Sequence, residues 1–320
     1  MQSSQEQEAS LKPRVLVVGS INMDLIVRCR RVPRAGETVH GEDLQTAPGG
    51  KGANQAVACS RLGAETALVG RVGDDEFGAK LRDGLAADGV NVESVRVCPG
   101  ASSGTALILL EEAGDNRIVV MSGANWLLAE DDVAIAAELL PDVDAVMMPL
   151  EMPIEVATGV AAAARARGVR CVLDAGPITP AALEAGLPAM VDLISPNETE
   201  AEALTGIEVR ELSDARRAAA RLREMGAADV VLKLGARGAY WSGPAGEGHF
   251  AAFAVEPVDT TAAGDAFSAC LTVGLVSGLE MAEAITRANA AGALACLKLG
   301  AQPSMPTAKA VEAFLQERRG

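Results

Sequence analysis

Aromatic residues make up only 2 % of the 320 positions. Proteins that hold single-stranded nucleic acid stack bases on several rings, so that binding mode is excluded. An adenine, if bound, has to lie between aliphatic side chains. Positive charge is also scarce. The formal net charge is −15 and no long Lys/Arg run exists, which argues against a nucleic-acid footprint. There are two histidines, His40 and His249. Neither has the motif company of a histidine-based zinc site or a Ser-His-Asp triad. The six cysteines are scattered, with no Cys-x-x-Cys pair. They read as small buried hydrophobes in a reducing compartment. No apolar run of about 18 residues is present to span a membrane. Residues 1–13 are polar and lack the apolar stretch of a signal peptide. The expectation is a soluble, cytoplasmic protein with a disordered tail over 1–13.

Some familiar motifs are missing as well. No Gly-x-Gly-x-x-Gly follows the first apolar strand, so dinucleotide binding loses its main support. Lys51 is followed by Gly52 rather than Ser or Thr, so the glycine run there is not a Walker loop. The clustered aspartates that a nucleoside hydrolase needs near the first strand are absent.

What is present alternates. Short apolar runs at 15–18, 67–72, 145–148, 171–173, 193–194 and 230–234 have the unbroken hydrophobicity of strands covered on both faces. Helical patterns lie between them at 53–62, 77–87, 132–140, 154–167, 198–204 and 215–225. Such alternation predicts an α/β three-layer sandwich around a mainly parallel sheet. Residues 25–46 and 95–121 break the alternation with extended stretches and no helix. They read as a small β lid, or alternatively as antiparallel edge strands of the main sheet. The division expected is a large domain of 14–24, 47–94 and 122–320, with the lid formed by the two insertions.

Polar residues fall just after the strands: Asn22 and Asp24, Glu151, Asp174, Asn197 and Gly235. In parallel sheets ligands bind at the carboxyl edge, so these residues should share one rim. Asp259 to Phe267 then leads into an apolar helix expected over 266–277. A helix start carries unpaired N–H groups and partial positive charge. The small residues Ala262, Ala263 and Gly264 let an anion approach closely. Asp265 stands beside this cradle as a candidate base. Alone, Gly-Asp before a helix is an ordinary N-terminal turn. An anion hole next to a fixed carboxylate is also what phosphoryl transfer to an alcohol requires. A second glycine-rich turn, Gly49 to Ala56, precedes another helix. There Lys51 and Asn54 offer donors suited to hydroxyl groups.

Taken together, Gly19 to Asp24, Gly36 to Val39, Gly49 to Ala56, Pro196 to Glu202, Lys233 to Gly235, Asp259 to Phe267 and Lys298 to Ser304 resemble the signatures of the ribokinase-type carbohydrate kinases. They run in family order from about residue 14 to the C-terminus. The resemblance implies ATP-dependent phosphorylation of D-ribose to D-ribose 5-phosphate. It implies Asp265 as the base on the 5-hydroxyl and the backbone of 262–264 as the anion hole. By motif match, Asn22, Asp24, Gly50, Lys51, Asn54 and Glu151 hold the sugar. Asn197 and Glu200 belong with magnesium and phosphate, and Lys233, Gly235, Arg237, Gly238, Gly264 and Asn289 with the nucleotide. Asp259, Thr261, Ala295, Lys298, Gly300 and Ser304 surround a monovalent cation, usually potassium. A homodimer joined through the lid is also implied.

The chain departs from the family at three places. Lys233 stands where threonine is frequent, and Asn289 where histidine sometimes occurs. Asp174-Ala175-Gly176-Pro177 replaces a more usual Asn-Pro-Ala-Pro. Within the same chemistry fructose, deoxyribose or a nucleoside remain alternative substrates. A non-catalytic sugar sensor is the alternative from another class.

Overall fold

A computed structural model describes residues 12–112, 116–178 and 180–319. The tail expected over 1–13 lies outside the described residues, apart from Lys12 and Pro13. The strands are β1 (Arg14–Val18), β2 (Asn22–Cys29), β3 (Gly41–Gly49), β4 (Glu65–Gly73), β5 (Val90–Asn91), β6 (Val95–Cys98) and β7 (Gly104–Glu111). They continue with β8 (Asn116–Met121), β9 (Ala145–Pro149), β10 (Arg170–Asp174), β11 (Leu193–Ile194), β12 (Asp229–Lys233), β13 (Ala239–Gly243) and β14 (Gly246–Phe250). The helices are α1 (Lys51–Arg61), α2 (Glu76–Ala87), α3 (Glu130–Leu139), α4 (Ile154–Arg167), α5 (Pro180–Glu184) and α6 (Glu198–Thr205). After them come α7 (Leu212–Glu224), α8 (Ala263–Val276), α9 (Met281–Ala295), α10 (Ala301–Ser304) and α11 (Ala308–Arg319).

The large sheet runs β14-β13-β12-β11-β10-β9-β1-β4-β5, with β6 also on β4. From β12 through β4 every pairing is parallel, and β13 and β14 close one edge as an antiparallel hairpin. Strand β1 shows why the sheet is a sandwich layer. Val15 and Val17 join a core with α1, α8 and α9, whereas Leu16 and Val18 join a second core with α4 and α7. Successive side chains of a strand point to opposite faces, so an unbroken apolar run serves two helical layers at once.

The six apolar runs all lie in strands of this sheet, and the helical patterns all lie in helices, with ends shifted by up to three residues. The helix layer of α1 and α8 also includes α9 and α11, which the sequence pattern did not single out. The small sheet is separate and ordered β3-β2-β7-β8. Its limits differ from those expected. Val95–Cys98 pairs in parallel with β4, so this stretch of the second insertion belongs to the large sheet. Conversely, Asn22 to Asp24 and residues 47–49 lie in strands of the small sheet. The hydrophobic alternation of β6 is the same in either sheet, so periodicity alone could not assign it.

No helix among the described residues is long and apolar enough to cross a membrane. The six cysteines carry no disulfide, and five of them are buried.

Candidate active site

The strand order reverses between β1 and β9, because the chain leaves β1 toward β4 and later returns on the other side. Such a switch point opens a crevice at the carboxyl edge. Here Ser20, just after β1, donates its hydroxyl to Glu151 Oε2 at 2.5 Å, just after β9. The same carboxylate oxygen accepts the Lys51 backbone N–H at 3.1 Å. Glu151 therefore fixes the start of α1 against the switch point. A Cβ on Gly52 would fall 2.6 Å from the Gly19 carbonyl carbon, so only glycine allows this approach.

A cavity of about 850 Å³ extends from this crevice. Asn22, Asp24, Gly50, Lys51, Asn54 and Glu151 line one end, and Asn197, Glu200, Lys233, Gly235, Gly238 and Asn289 line the rest. Ala262, Ala263, Gly264 and Asp265 lie on its wall. The helix there, α8, begins at Ala263, three residues earlier than the sequence reading placed it. Ala262 takes a left-handed conformation, φ 59°, and supplies no side-chain cap. The helix N-terminus is thus left open to an incoming anion.

Asp265 is buried and held from three sides. Asn54 Nδ2 donates to it at 2.9 Å, Gln55 Nε2 at 3.0 Å and Lys51 Nζ at 3.4 Å. Lys51 and Asn54 are the residues expected to donate to hydroxyl groups. Their nitrogens point at the carboxylate, and Asn54 Oδ1 is a buried acceptor without a protein partner. Asn22 Oδ1 is taken by Asn125 Nδ2 at 2.7 Å, which leaves the Asn22 amide nitrogen for the cavity. Burial first, and the charge of Glu151 second, push the Asp24 carboxyl up to about 7. Burial works against the Lys51 ammonium, but Asp174, Asp265, Glu200 and Glu151 outweigh it and hold it charged above the usual lysine range.

Farther along the cavity, Asn197 and Glu200 form a reciprocal cap at the start of α6, with both bonds at 2.8 Å. Glu200 Oε1 stays outside this cap, over Gly176. Asn289 Nδ2 bonds the carbonyls of Phe250 and Ala251 and so pins the segment after β14. That segment, with Ala252, Phe253, Val255 and Pro257, forms an apolar wall of the cavity. It was invisible in the sequence because it has no periodicity. Arg237 does not line the cavity. Its guanidinium bonds Glu198 and the carbonyls of Val209 and Arg210 instead, bracing the turn that carries Gly235 and Gly238.

Of the residues expected around a cation, three are drawn together. Asp259 accepts from Thr261 N at 2.9 Å, Thr261 Oγ1 at 2.6 Å and Gly300 N at 2.9 Å. The Cys296 carbonyl, next to Ala295, receives Val258 N and Asp259 N. Lys298 sits in the turn between α9 and Gly300, and Ser304 ends α10 with its hydroxyl on the Ala301 carbonyl. Three helpers had no signal strong enough to single them out: Asn125, Gln55 and Ser268. The last two do lie next to or one turn from flagged residues on α1 and α8.

The pattern of the pfkB family carbohydrate kinases matches residues 12–308. The chain belongs to that family. Ribokinase of Haemophilus influenzae is 36 % identical over 96 % of this chain and 99 % of its own length. Ribokinase of Bacillus subtilis is 38 % identical over 94 % of this chain and 99 % of its own. The structure of Arabidopsis thaliana ribokinase complexed with ribose and ATP superimposes with a TM-score of 0.87 at 34 % identity, covering 96 % of this chain and 99 % of that one. The expected fold and kinase class are therefore correct.

Proposed function

We propose that the chain transfers the γ-phosphoryl group of ATP to the 5-hydroxyl of D-ribose. The observation that carries this reading is the sharing of one cavity by Asp265, the uncapped start of α8 and the polar cluster of Asn22, Asp24, Lys51 and Glu151. Similarity to ribokinases over nearly the whole chain supports the choice of sugar. Asp24 and Glu151 accept from sugar hydroxyls, and the Asn22 amide donates. Asp265 removes the 5-hydroxyl proton. The oxygen bonds the γ-phosphorus as the bond from that phosphorus to the ADP oxygen breaks. The N–H groups at the start of α8 receive the negative charge of the transferred group.

Among the described residues no cluster of three or more His, Cys, Asp or Glu forms a metal cage. Magnesium bound chiefly to nucleotide phosphates fits this, since such ions commonly use one or two carboxylates, and Glu200 Oε1 is free of the cap. The ion supplies positive charge to the phosphate oxygens. Asp259 and the carbonyls near 295–300 suit a large, weakly hydrated cation, potassium, which would fix the loop 259–264. A homodimer through the small sheet and a cytoplasmic location complete the reading.

The test is ADP release coupled to a panel of sugars, with and without potassium. Ribose should give the highest kcat/KM, potassium should raise the rate, and Asp259→Ala should remove that dependence with roughly a tenfold lower kcat. Higher kcat/KM for fructose or deoxyribose would reassign the substrate. Absence of even a single turnover with any sugar would favour a sensor.

A further inference from the structure

Two of the places where the chain departs from its family touch each other. Asp174 ends β10 and Lys233 ends β12, and Lys233 Nζ lies 3.0 Å from Asp174 Oδ2. Asp174 is wholly buried. The same oxygen accepts from Ser268 Oγ at 2.8 Å and from Gln55 Nε2 at 3.2 Å, and Oδ1 faces Lys51 Nζ at 3.4 Å. One carboxylate thus bridges two ammonium groups. Lys51 stands on the sugar side. Lys233 stands under the anion hole, where a Cβ added to Gly264 would lie 3.7 Å from its Nζ.

An ammonium has three N–H donors. Asp174 and Ser268 account for two on Lys233. The third is left for the cavity that Lys233 lines. Charge counting gives this lysine a purpose. Lys51 and Lys233 balance Asp174 and Asp265, so this cluster of four is neutral at rest. When Asp265 takes the hydroxyl proton, the cluster gains one net positive charge at the moment the phosphoryl group arrives. A buried charge without its partner is strongly destabilising, which explains why aspartate and lysine occur together here.

We propose that Lys233 binds the terminal phosphates of the nucleotide as the phosphoryl group reaches the start of α8, and that Asp174 is the positioning residue that aims Lys233 and Lys51 from one anchor. This rests on the kinase reading above. It goes beyond that reading by assigning the lysine a phosphate contact and the aspartate a shared anchoring role.

The experiment compares the intact chain with Lys233→Met, Asp174→Asn and the double variant. Calorimetry measures binding of AMP, ADP and the non-hydrolysable β,γ-imido-ATP, alongside turnover and thermal midpoint. Lys233→Met should weaken the triphosphate analogue about 10- to 100-fold and leave AMP within about twofold, because one charge-assisted contact to phosphate is lost. Asp174→Asn alone should lower the midpoint. The double variant should regain the midpoint but not the preference for triphosphate over monophosphate. If Lys233→Met, or the double variant where the single one does not fold, keeps that preference within about twofold of wild type, the proposal is overturned. Wild-type turnover with ribose reports separately on the kinase reading, since triphosphate preference is measured without catalysis.

Discussion

The large and small sheets are built from similar residues and meet solvent in opposite ways. In β1, the four residues Val15, Leu16, Val17 and Val18 are all 0 % exposed. In β8, Ile118, Val119 and Val120 are 53 %, 57 % and 54 % exposed. Both strands contain a run of apolar, mostly β-branched side chains. The first is covered by helices on both faces. The second has Ile118 and Val120 over the cavity and Val119 on the opposite face, with Leu44 of β3 also exposed. The difference separates a finished floor from an unfinished roof. Groups that must not move during chemistry are anchored in the floor, whereas the roof leaves apolar surface for a ligand or another chain to cover.

The strongest way to break this comparison is to disable the floor without moving it. Asp265→Asn keeps size and preserves an acceptor oxygen, but it cannot take the hydroxyl proton. The expected result is a kcat loss of roughly 10²- to 10⁴-fold with ribose KM much less affected. Steady-state kinetics with both substrates measure it. Turnover near wild type would move the base elsewhere.

Asp24 lies on β2, where roof and floor meet, and its effect should be smaller. Asp24→Ala should raise ribose KM by about 1–3 kcal/mol and leave the KM for ATP unchanged. Loss of ATP affinity instead would put Asp24 at the wrong end of the cavity. The wild type should also show a pH signature. Ribose hydroxyls donate to the ionised carboxylate, and the free carboxyl sits at about 7. Binding therefore releases a proton, and affinity should be about tenfold weaker at pH 6 than at pH 8. Asp24→Asn should flatten that slope. The same shift acts on the unliganded fold with a fixed sign. The stabilisation is full below the ordinary value of 3.8 and is lost as pH rises through about 7.

The floor was more legible in sequence than the roof, for a physical reason. Strands such as Asp229–Lys233 are buried on both faces and read as unbroken apolar runs, and helices such as Ile154–Arg167 bury one face and read by their period. Asp265, Asn22 and Asp24 were legible because special backbone positions and small residues surround them. Long-range pairing is different. Nothing local ties Asp174 to Lys233, or Asn125 to Asn22, because those contacts exist only once β10, β12 and the turn at 123–127 are brought side by side. The direction of the Asn54 amide was likewise unreadable, since the motif fixes where the residue is and not which carboxylate it meets. Arg237 was assigned by its place in a nucleotide-side turn, yet its length carries it away to Glu198.

The roof can be tested with less effect on the fold itself. Val119→Glu adds a charge to an exposed position on the face away from the cavity. The unfolding free energy should change by no more than about 0.5 kcal/mol, as for most exposed substitutions. Sedimentation should nevertheless shift from dimer to monomer if this face joins two copies. An unchanged sedimentation coefficient, with the wild type already a monomer or the variant still a dimer, would remove the small sheet from the interface.

The smallest expected effect lies in the floor, at Ala262. Among the described residues it alone, apart from glycines, has a positive φ, 59°. An alanine held in the left-handed region costs about 1–2 kcal/mol. Glycine would relieve this but adds freedom to the unfolded chain worth about 0.4–1 kcal/mol. The two effects oppose each other, so Ala262→Gly should alter stability by no more than about 1 kcal/mol. Its effect on catalysis should be visible even so. Alanine restricts the backbone just before the first free N–H groups of α8, and glycine lets that turn sample other shapes. A loss of about two- to fivefold in kcat with unchanged ribose KM is expected, on the order of 0.5–1 kcal/mol of lost preorganisation. Matching stability and matching kcat would show that the Asp259–Thr261–Gly300 bonds hold the anion hole by themselves, with residue 262 carried along in a shape it does not determine.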